Sequence, residues 1–286
     1  KPVDRNVEGV VEMMLDATGH YEQPLTTERL LAWHASLFPT GRSGMSQIRF
    51  GAWRDDSSGP MQVVSGAVGR ERVHFEAPAA GRLDREMQVF LDWFNENTET
   101  DWVAKAGFAH LWFVTIHPFD DGNGRIARAI TDMALARSEQ SAQRFYSMSA
   151  QIRQERATYY DVLERTQKGT MDITPWMDWF LGCMGRAIEG AQATLATVLS
   201  KARFWETCAD FPLNARQRLV LNRLLDGFEG TLTTSKWAKL AKCSHDTALR
   251  DILALVERGI LVQNPGGGRS TSYGLASIPE STKKKQ

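Results

Sequence analysis

The 286 residues suffice for one large domain or a medium domain joined to a small one, and 42% hydrophobic with 24% charged residues is the balance of an ordinary globular chain. No run of eighteen apolar residues and no signal-peptide pattern occurs, which excludes a membrane-spanning helix, and the three scattered cysteines (Cys183, Cys208, Cys243) exclude a metal-ligand cluster or disulfide framework and point to a reducing cytoplasm. A formal net charge of zero hides an asymmetry: from Asn214 onward twelve Lys and Arg face six Asp and Glu, which suggests a basic module joined to an acidic one, although Lys283, Lys284 and Lys285 read as a solvated tail.

The chain opens on Lys1 rather than Met, so the expectation is a fragment whose native N-terminus is missing. Val7 to Ala17 reads as a short helix stopped near Gly19, and Thr26 or Thr27 caps a second through Leu30, Leu31, His34 and Leu37. Residues 39–60, rich in Gly, Pro and Ser, are irregular. Two strand-like runs follow, Met61–Val64 and Arg72–Phe75, separated by Gly66 and Gly69 as a small hairpin. From Leu83 the pattern is helical, with one apolar stripe at Met87, Phe90, Leu91 and Phe94 and another at Ala106, His110, Phe113, Val114 and His117. Helical patterns continue over residues 124–137, 149–166 and 174–206, the last opening on Thr174 and Pro175. Trp93, Trp102, Trp112, Trp176, Trp179 and Trp205 fall mostly on these helices, where core packing is their default role. Phe211-Pro212 is the domain boundary, because proline interrupts the pattern where the charge balance changes.

Residues 117–128, His-Pro-Phe-Asp-Asp-Gly-Asn-Gly-Arg-Ile-Ala-Arg, carry the chemistry. A histidine closes one helix, a turn follows, and a second helix begins near Gly124. Without Cβ atoms at Gly122 and Gly124, successive N–H groups converge into an anion nest at a helix N-terminus. Arg125 and Arg128, three apart, project from one face and suit phosphate oxygens. Asp121 beside the nest is placed to hold Mg²⁺, whose other ligands would be phosphates and waters. His117 is the only group of the cluster that titrates near neutrality and is the natural general base. Together these make a phosphoryl- or nucleotidyl-transfer kit. His110, one turn upstream, reads instead as a satisfied buried histidine.

The same segment resembles the signature of the Fic family, His-x-Phe-x-Asp/Glu-Gly-Asn-Gly-Arg-x-x-Arg, at every position. The resemblance extends over about residues 50–206. Gly51-Ala52-Trp53-Arg54 resembles the family's Gly-x-x-Arg element, residues 72–78 its flap, and Trp93-Phe94-Asn95 a following helix end. Residues 159–163 and 173–176 resemble its later helices. The resemblance implies a protein adenylyltransferase that uses ATP and Mg²⁺. His117 would deprotonate a Ser, Thr or Tyr hydroxyl of a target protein, which attacks the α-phosphorus of ATP and expels pyrophosphate. Asp121 would hold Mg²⁺, Gly122, Asn123 and Gly124 would form the anion hole, and Arg125 and Arg128 would bind the β- and γ-phosphates. Phe119 would anchor the loop, and Tyr160, with Tyr159 as its alternative, would lie against the adenine. The flap would pair with the target as an added strand around residues 72–76. Residues 4–9 resemble the family's regulatory element, with Glu8 as the brake on Arg128 but Asp4 where Ser or Thr belongs; an upstream segment is the other home for that brake.

At the C-terminus, Ala215–Leu225, Thr234–Lys242 and a helix capped by Ser244 through Glu257 precede two short strands, Ile260–Gln263 and Ser270–Leu275, around Asn264-Pro265-Gly266-Gly267-Gly268. This resembles a winged helix, with Ser244, His245, Thr247 and Arg250 facing DNA bases and Lys239, Lys242 and Arg269 near phosphates. Asp246 near the tip of the reading helix argues against DNA, and such modules also dock proteins.

The fold class expected is mainly α: N-terminal helices over residues 1–38, a Fic-type helical domain with a β-hairpin flap over 39–206, a winged helix-turn-helix domain over 207–277, and a basic tail over 278–286. The partners expected are a target protein on the flap, the chain itself as acceptor, DNA through residues 214–277 and a second copy in a homodimer, with no membrane. The alternatives are a nucleotide-sensing DNA-binding regulator, or an enzyme that removes AMP or transfers another phosphate-linked group.

Overall fold

The computed structural model describes residues 5–57, 59–67, 69–96, 100–265 and 271–276, and the chain falls into two units, Lys1–Gln192 and Ala193–Gln286. In the first, α1 (Arg5–Gly19) and α2 (Thr27–Leu37) are followed by a two-stranded turn, β1 (Arg42–Ser43) with β2 (Ser46–Gln47), and a hairpin, β3 (Gln62–Ser65) with β4 (Arg72–Glu76). Then come α3 (Leu83–Asn95), α4 (Trp102–Ile116), α5 (Asn123–Glu139), α6 (Met148–Gln154), α7 (Arg156–Lys168) and α8 (Thr174–Thr207), which runs past the division between the units. No described helix is long and apolar enough to cross a membrane.

The centre of the first unit is the pair α4 and α5. α4 is apolar all round, and α5, although it carries Arg125, Arg128 and Asp132, is buried along most of its length as well. The start of α8 lies directly on α4: Trp176 Nε1 donates to the Gly107 carbonyl at 2.9 Å, and a Cβ on Gly107 would stand 3.0 Å from Met177 and Phe180. α3 adds Met87, Phe90, Leu91 and Phe94 to the same core, each fully buried ring contributing about 1.5–3 kcal/mol. On the opposite side α1 and α2 pack against each other and α5. Asp16 of α1 accepts from Arg29 Nε (2.6 Å) and Trp33 Nε1 (2.7 Å) of α2, and Thr26 caps α2 at Arg29 N (3.2 Å).

One expected helix is two. The pattern over residues 149–166 breaks at Glu155, between α6 and α7, with no Gly or Pro to mark it. The Glu155 carboxylate takes both Arg186 nitrogens (2.6 and 2.7 Å) and Gln151 Nε2 (2.6 Å), and its backbone leaves the helix at φ −98, ψ 26. A long-range ion pair therefore sets the corner. The hairpin is irregular as well: Val63 pairs with Phe75 but Val64 with Val73, so His74 is an extra residue on β4, and such a bulge re-aims its side chain.

In the second unit, α9 (Ala215–Leu225), β5 (Leu232–Thr233), α10 (Thr234–Ala241), α11 (His245–Glu257), β6 (Leu261–Gln263) and β7 (Ser272–Leu275) enclose a core of Val220, Leu221, Trp237, Ile252 and Leu255. The strands form one antiparallel sheet in the order β5-β7-β6. Asn214 and Gln217 close a capping box on α9. Asp251 accepts from Asn214 and Arg216, fixing α9 to α11.

Candidate active site around His117 and the start of α5

α4 ends on His117, which adopts the left-handed conformation (φ 52, ψ 57) and returns its N–H to the Phe113 carbonyl at 3.0 Å. The loop to α5 is held by its own residues. Asn123, at the first position of α5, accepts from Phe119 N (3.0 Å) through Oδ1 and donates from Nδ2 to Phe119 O (2.7 Å). Phe119 is fully buried and stacks on His34 of α2, ring centroids 4.1 Å apart and planes 5° apart. His34 Nδ1 accepts from Gly51 N (3.1 Å), so the ring proton is on Nε2 and is donated to the Asp121 carbonyl (3.1 Å). Burial holds the His34 imidazole down to about 4, so it is neutral in this role. Arg54, 2% exposed, donates to the carbonyls of His117 (2.8 Å), Pro78 (2.5 Å) and, at 3.5 Å, Ile116. The carbonyls at the C-terminus of α4, which lack intrahelical donors, are thus served by one guanidinium.

This frame fixes the state of His117. Its Nδ1 lies 3.1 Å from the Val114 carbonyl, which can only accept, so Nδ1 carries the proton and Nε2 keeps a lone pair. Burial, with Arg54 adding to it, lowers the imidazole pKa against the opposing pull of Val114 O and Asp121. Asp121 accepts from Gly122 N (2.5 Å) and Ser43 Oγ (2.5 Å), and Arg125 Nη2 lies 3.5 Å away, yet the carboxylate remains 45% exposed. The Arg125 guanidinium lies over the Phe38 ring at 4.6 Å. Arg128 forms no hydrogen bond or ion pair among the described residues, although it is half-buried.

Two open cavities meet at Arg128. One, about 810 Å³, runs from the β3–β4 hairpin past His117, Asp120 and Gly124 to Arg128 and Tyr160. The other, about 600 Å³, joins Arg125, Arg128, Arg153 and Arg156 to Val10, Met13 and Met14 of α1. Tyr159 and Tyr160 line both. Tyr159 is buried and its hydroxyl is engaged by His110 Nε2 (3.0 Å), whereas Tyr160 is 51% exposed beside Arg156. His110 bonds Thr131 Oγ1 through Nδ1 (2.9 Å), and burial drives its pKa down to about 3.

Of the residues singled out from sequence, His117, Gly124, Arg128 and Tyr160 line one cavity, and Arg125 lines the adjoining one. Gly122, at φ 86, is the N-cap of α5; a Cβ there would meet Phe38 at 2.9 Å. The Asn123 side chain is consumed by Phe119, so only its amide is open to an anion. His34, Ser43 and Arg54 were not assigned to the site from sequence; their link to it is spatial, across 63 to 87 residues. Glu8 is exposed on α1, no ion pair joins it to Arg128 among the described residues, and Asp4 lies outside them. In the second unit Lys239, Lys242, His245 and Arg250 are exposed, Ser244 is the N-cap of α11 with its Oγ on Thr247, and Arg269 and residues 278–286 lie outside the described residues.

Residues 24–135 match the Fic/DOC family. Protein adenylyltransferase Fic of Drosophila willistoni is 32% identical over 114 residues, covering 39% of this chain and 21% of that protein. Its namesake in Nematostella vectensis is 32% identical over 119 residues, covering 41% and 26%. The match therefore spans 21% and 26% of these relatives' own length. Among solved structures, a Fic family protein from Desulfovibrio desulfuricans G20 superposes with TM-score 0.52 at 24% identity over 96% of this chain and 74% of that one. A Fic domain containing signaling protein from Bacteroides thetaiotaomicron VPI-5482 superposes with TM-score 0.50 at 20% identity over 65% of this chain and 70% of that one. At those identities the likeness is one of fold, mainly helical with few short strands.

Proposed function

Proceeding from the Fic domain that the chain carries at residues 24–135, we propose that it is a protein adenylyltransferase that moves AMP from ATP onto a protein hydroxyl. The observation that carries this reading is the juxtaposition, on one cavity wall, of a histidine whose Nε2 keeps a lone pair, the first turn of a helix, and an arginine without an ion pair among the described residues. The relatives named protein adenylyltransferase support the choice of AMP as the group transferred.

In this reading His117 Nε2 takes the proton of the acceptor hydroxyl. The oxygen forms a bond to the α-phosphorus of ATP, the α–β bridging bond breaks, and pyrophosphate leaves. The amides of Asn123 and Gly124 meet the α-phosphate, and Arg125 and Arg128 neutralise the leaving phosphates. Asp121 fits Mg²⁺: its carboxylate is nearly half exposed, and the described residues hold no group of three acidic, His or Cys side chains that would form a metal cage. One carboxylate completed by phosphates and waters is how Mg²⁺ is ordinarily bound, and the ion would neutralise charge on the leaving group. The free edge of β3 and the bulged β4 support docking of an extended target segment on the hairpin. Exposed Lys239, Lys242, His245 and Arg250 support duplex DNA as a further partner of the second unit.

The test is mass spectrometry of the purified chain and a cell lysate after incubation with ATP and Mg²⁺, alongside His117→Ala. One AMP added to identifiable residues, reduced by at least about 100-fold in the variant while ATP still binds, is the expected result. Undiminished transfer by His117→Ala would refute the assignment of the base. Loss of AMP from a pre-modified protein would favour removal of AMP by hydrolysis as the activity.

A further inference from the structure

The hairpin carries a second set of chemical groups that the transfer chemistry above does not use. His74, the extra residue of the bulge on β4, points across the hairpin and back towards α7 at once. Its Nε2 lies 2.5 Å from Ser65 Oγ, and its Nδ1 lies 2.6 Å from Glu164 Oε2. Glu164 also receives Arg72 Nη2 (2.9 Å) and Lys168 Nζ (2.8 Å), and Lys168, then His74 and Arg72, hold its carboxyl down to about 2. An ionised Glu164 can only accept, so in the neutral ring Nδ1 bears the proton and Nε2 accepts from the Ser65 hydroxyl. Hydroxyl, imidazole and carboxylate are therefore in series, each oriented by the next, which is the arrangement that activates a serine oxygen.

The cavity identifies the electrophile. Ser65, His74 and Glu164 line the same 810 Å³ cavity as His117, Gly124 and Arg128. The other groups on that wall suit a phosphate rather than an acyl carbon. Ser65 is exposed at the end of the hairpin and within the strand pair on which a target segment would sit.

We propose that Ser65 is an acceptor hydroxyl of the chain itself, primed by His74 and Glu164 and modified with AMP at the neighbouring nucleotide site. The step rests on the transferase reading for its nucleotide site and leaving group, and differs from it at the base: His74, not His117, takes the proton of this hydroxyl. The Ser65 Oγ–P bond forms, the bond between the α-phosphorus and the bridging oxygen breaks, pyrophosphate leaves, and the serine proton passes to His74 Nε2, whose positive charge Glu164 balances. The product is a phosphodiester on the flap, carrying one negative charge and an adenosine where the hydroxyl met His74.

The full chain is incubated with ATP and Mg²⁺ and the AMP adduct is located by peptide mass spectrometry in the parent, Ser65→Ala, Ser65→Thr and His74→Gln. AMP is expected on Ser65, absent there in Ser65→Ala and kept in Ser65→Thr, which retains a hydroxyl. In His74→Gln the Ser65 adduct is expected to form about 100-fold more slowly. Ser65 is exposed, so removing its Oγ leaves the core untouched. AMP on other residues or on lysate proteins, with Ser65 bare, would overturn this inference and leave the transferase reading standing. An unchanged rate on Ser65 in His74→Gln would overturn the relay. AMP on nothing at all would overturn both readings.

Discussion

Arg54→Lys tests whether the frame around His117 governs the chemistry. Arg54 is buried and its guanidinium donates to His117 O at 2.8 Å and Pro78 O at 2.5 Å, with Ile116 O at 3.5 Å and Asp56 at 3.2 Å. It joins the end of α4, and with it His117, the proposed base, to the segment that follows the β3–β4 hairpin. A lysine keeps the charge but has no planar fork, so its single ammonium group serves one of these carbonyls and leaves another without a donor. A charged hydrogen bond contributes about 1.5–3 kcal/mol, and an orphaned buried carbonyl costs about as much, so a loss of roughly 2–3 kcal/mol is expected. For a unit of this size that corresponds to a fall in Tm of about 4–12 °C. The larger effect falls on rate, because displacing the base by about an ångström reduces catalysis by roughly 100-fold. KM for ATP should move little, since Arg125 and Arg128 keep their surroundings. Thermal unfolding followed by AMP-labelling kinetics checks both figures. A variant that melts within about 1 °C of the parent and labels at the full rate would refute the claim that Arg54 positions His117.

Three further outcomes follow from the same geometry. His34 and His110 are held neutral to about 4 and about 3, below the ordinary value of 6.5. Between 6.5 and those values the unfolded chain binds the protons that the folded chain refuses, so stability is full above about pH 6.5 and falls on acidification by ~1.4 kcal/mol per pH unit for each histidine. Denaturant titrations at several pH values check this, and a flat profile between pH 6.5 and 4.5 would contradict the neutral assignments. Asp121→Asn should raise the Mg²⁺ concentration for half-maximal labelling by at least about tenfold, and an unaltered Mg²⁺ titration would remove Asp121 from the metal site. Tyr160→Ala should raise KM for ATP by roughly 5- to 150-fold if its exposed ring stacks on adenine, worth about 1–3 kcal/mol; an unchanged KM would point instead to the Tyr159 side of the cavity.

What was legible in the sequence follows from how local the physics is. Gly122 at φ 86, the start of α5 beside it and the cap of α2 at Thr26 are set by residues within a few positions, and their signals are short-range. The break at Glu155 was not legible, because Arg186, 31 residues away, sets it. The bulge at His74 was equally hidden, since a register shift belongs to two strands together and to neither sequence alone. The same division runs through the site: residues 117–128 lie together in sequence, but His34, Ser43 and Arg54, which hold that segment, come from elsewhere on the chain.

That separation has a physical reason. A non-glycine residue in the left-handed region is strained, by about 1–3 kcal/mol, and persists only where its surroundings over-determine it. His117 adopts φ 52 at the end of α4, where its carbonyl needs a donor from outside the helix. Asn123 closes the loop from one side, Arg54 supplies the donor from another, and His34 wedges Phe119 and the Asp121 carbonyl from a third. Their combined effect is to point Nδ1 at Val114 O and leave Nε2 as the lone pair, so the basicity of this histidine is a property of the frame as much as of the imidazole. A histidine placed at the end of an unbraced helix would keep its proton on either nitrogen and its ring in several rotamers, and the motif alone would then be chemically mute.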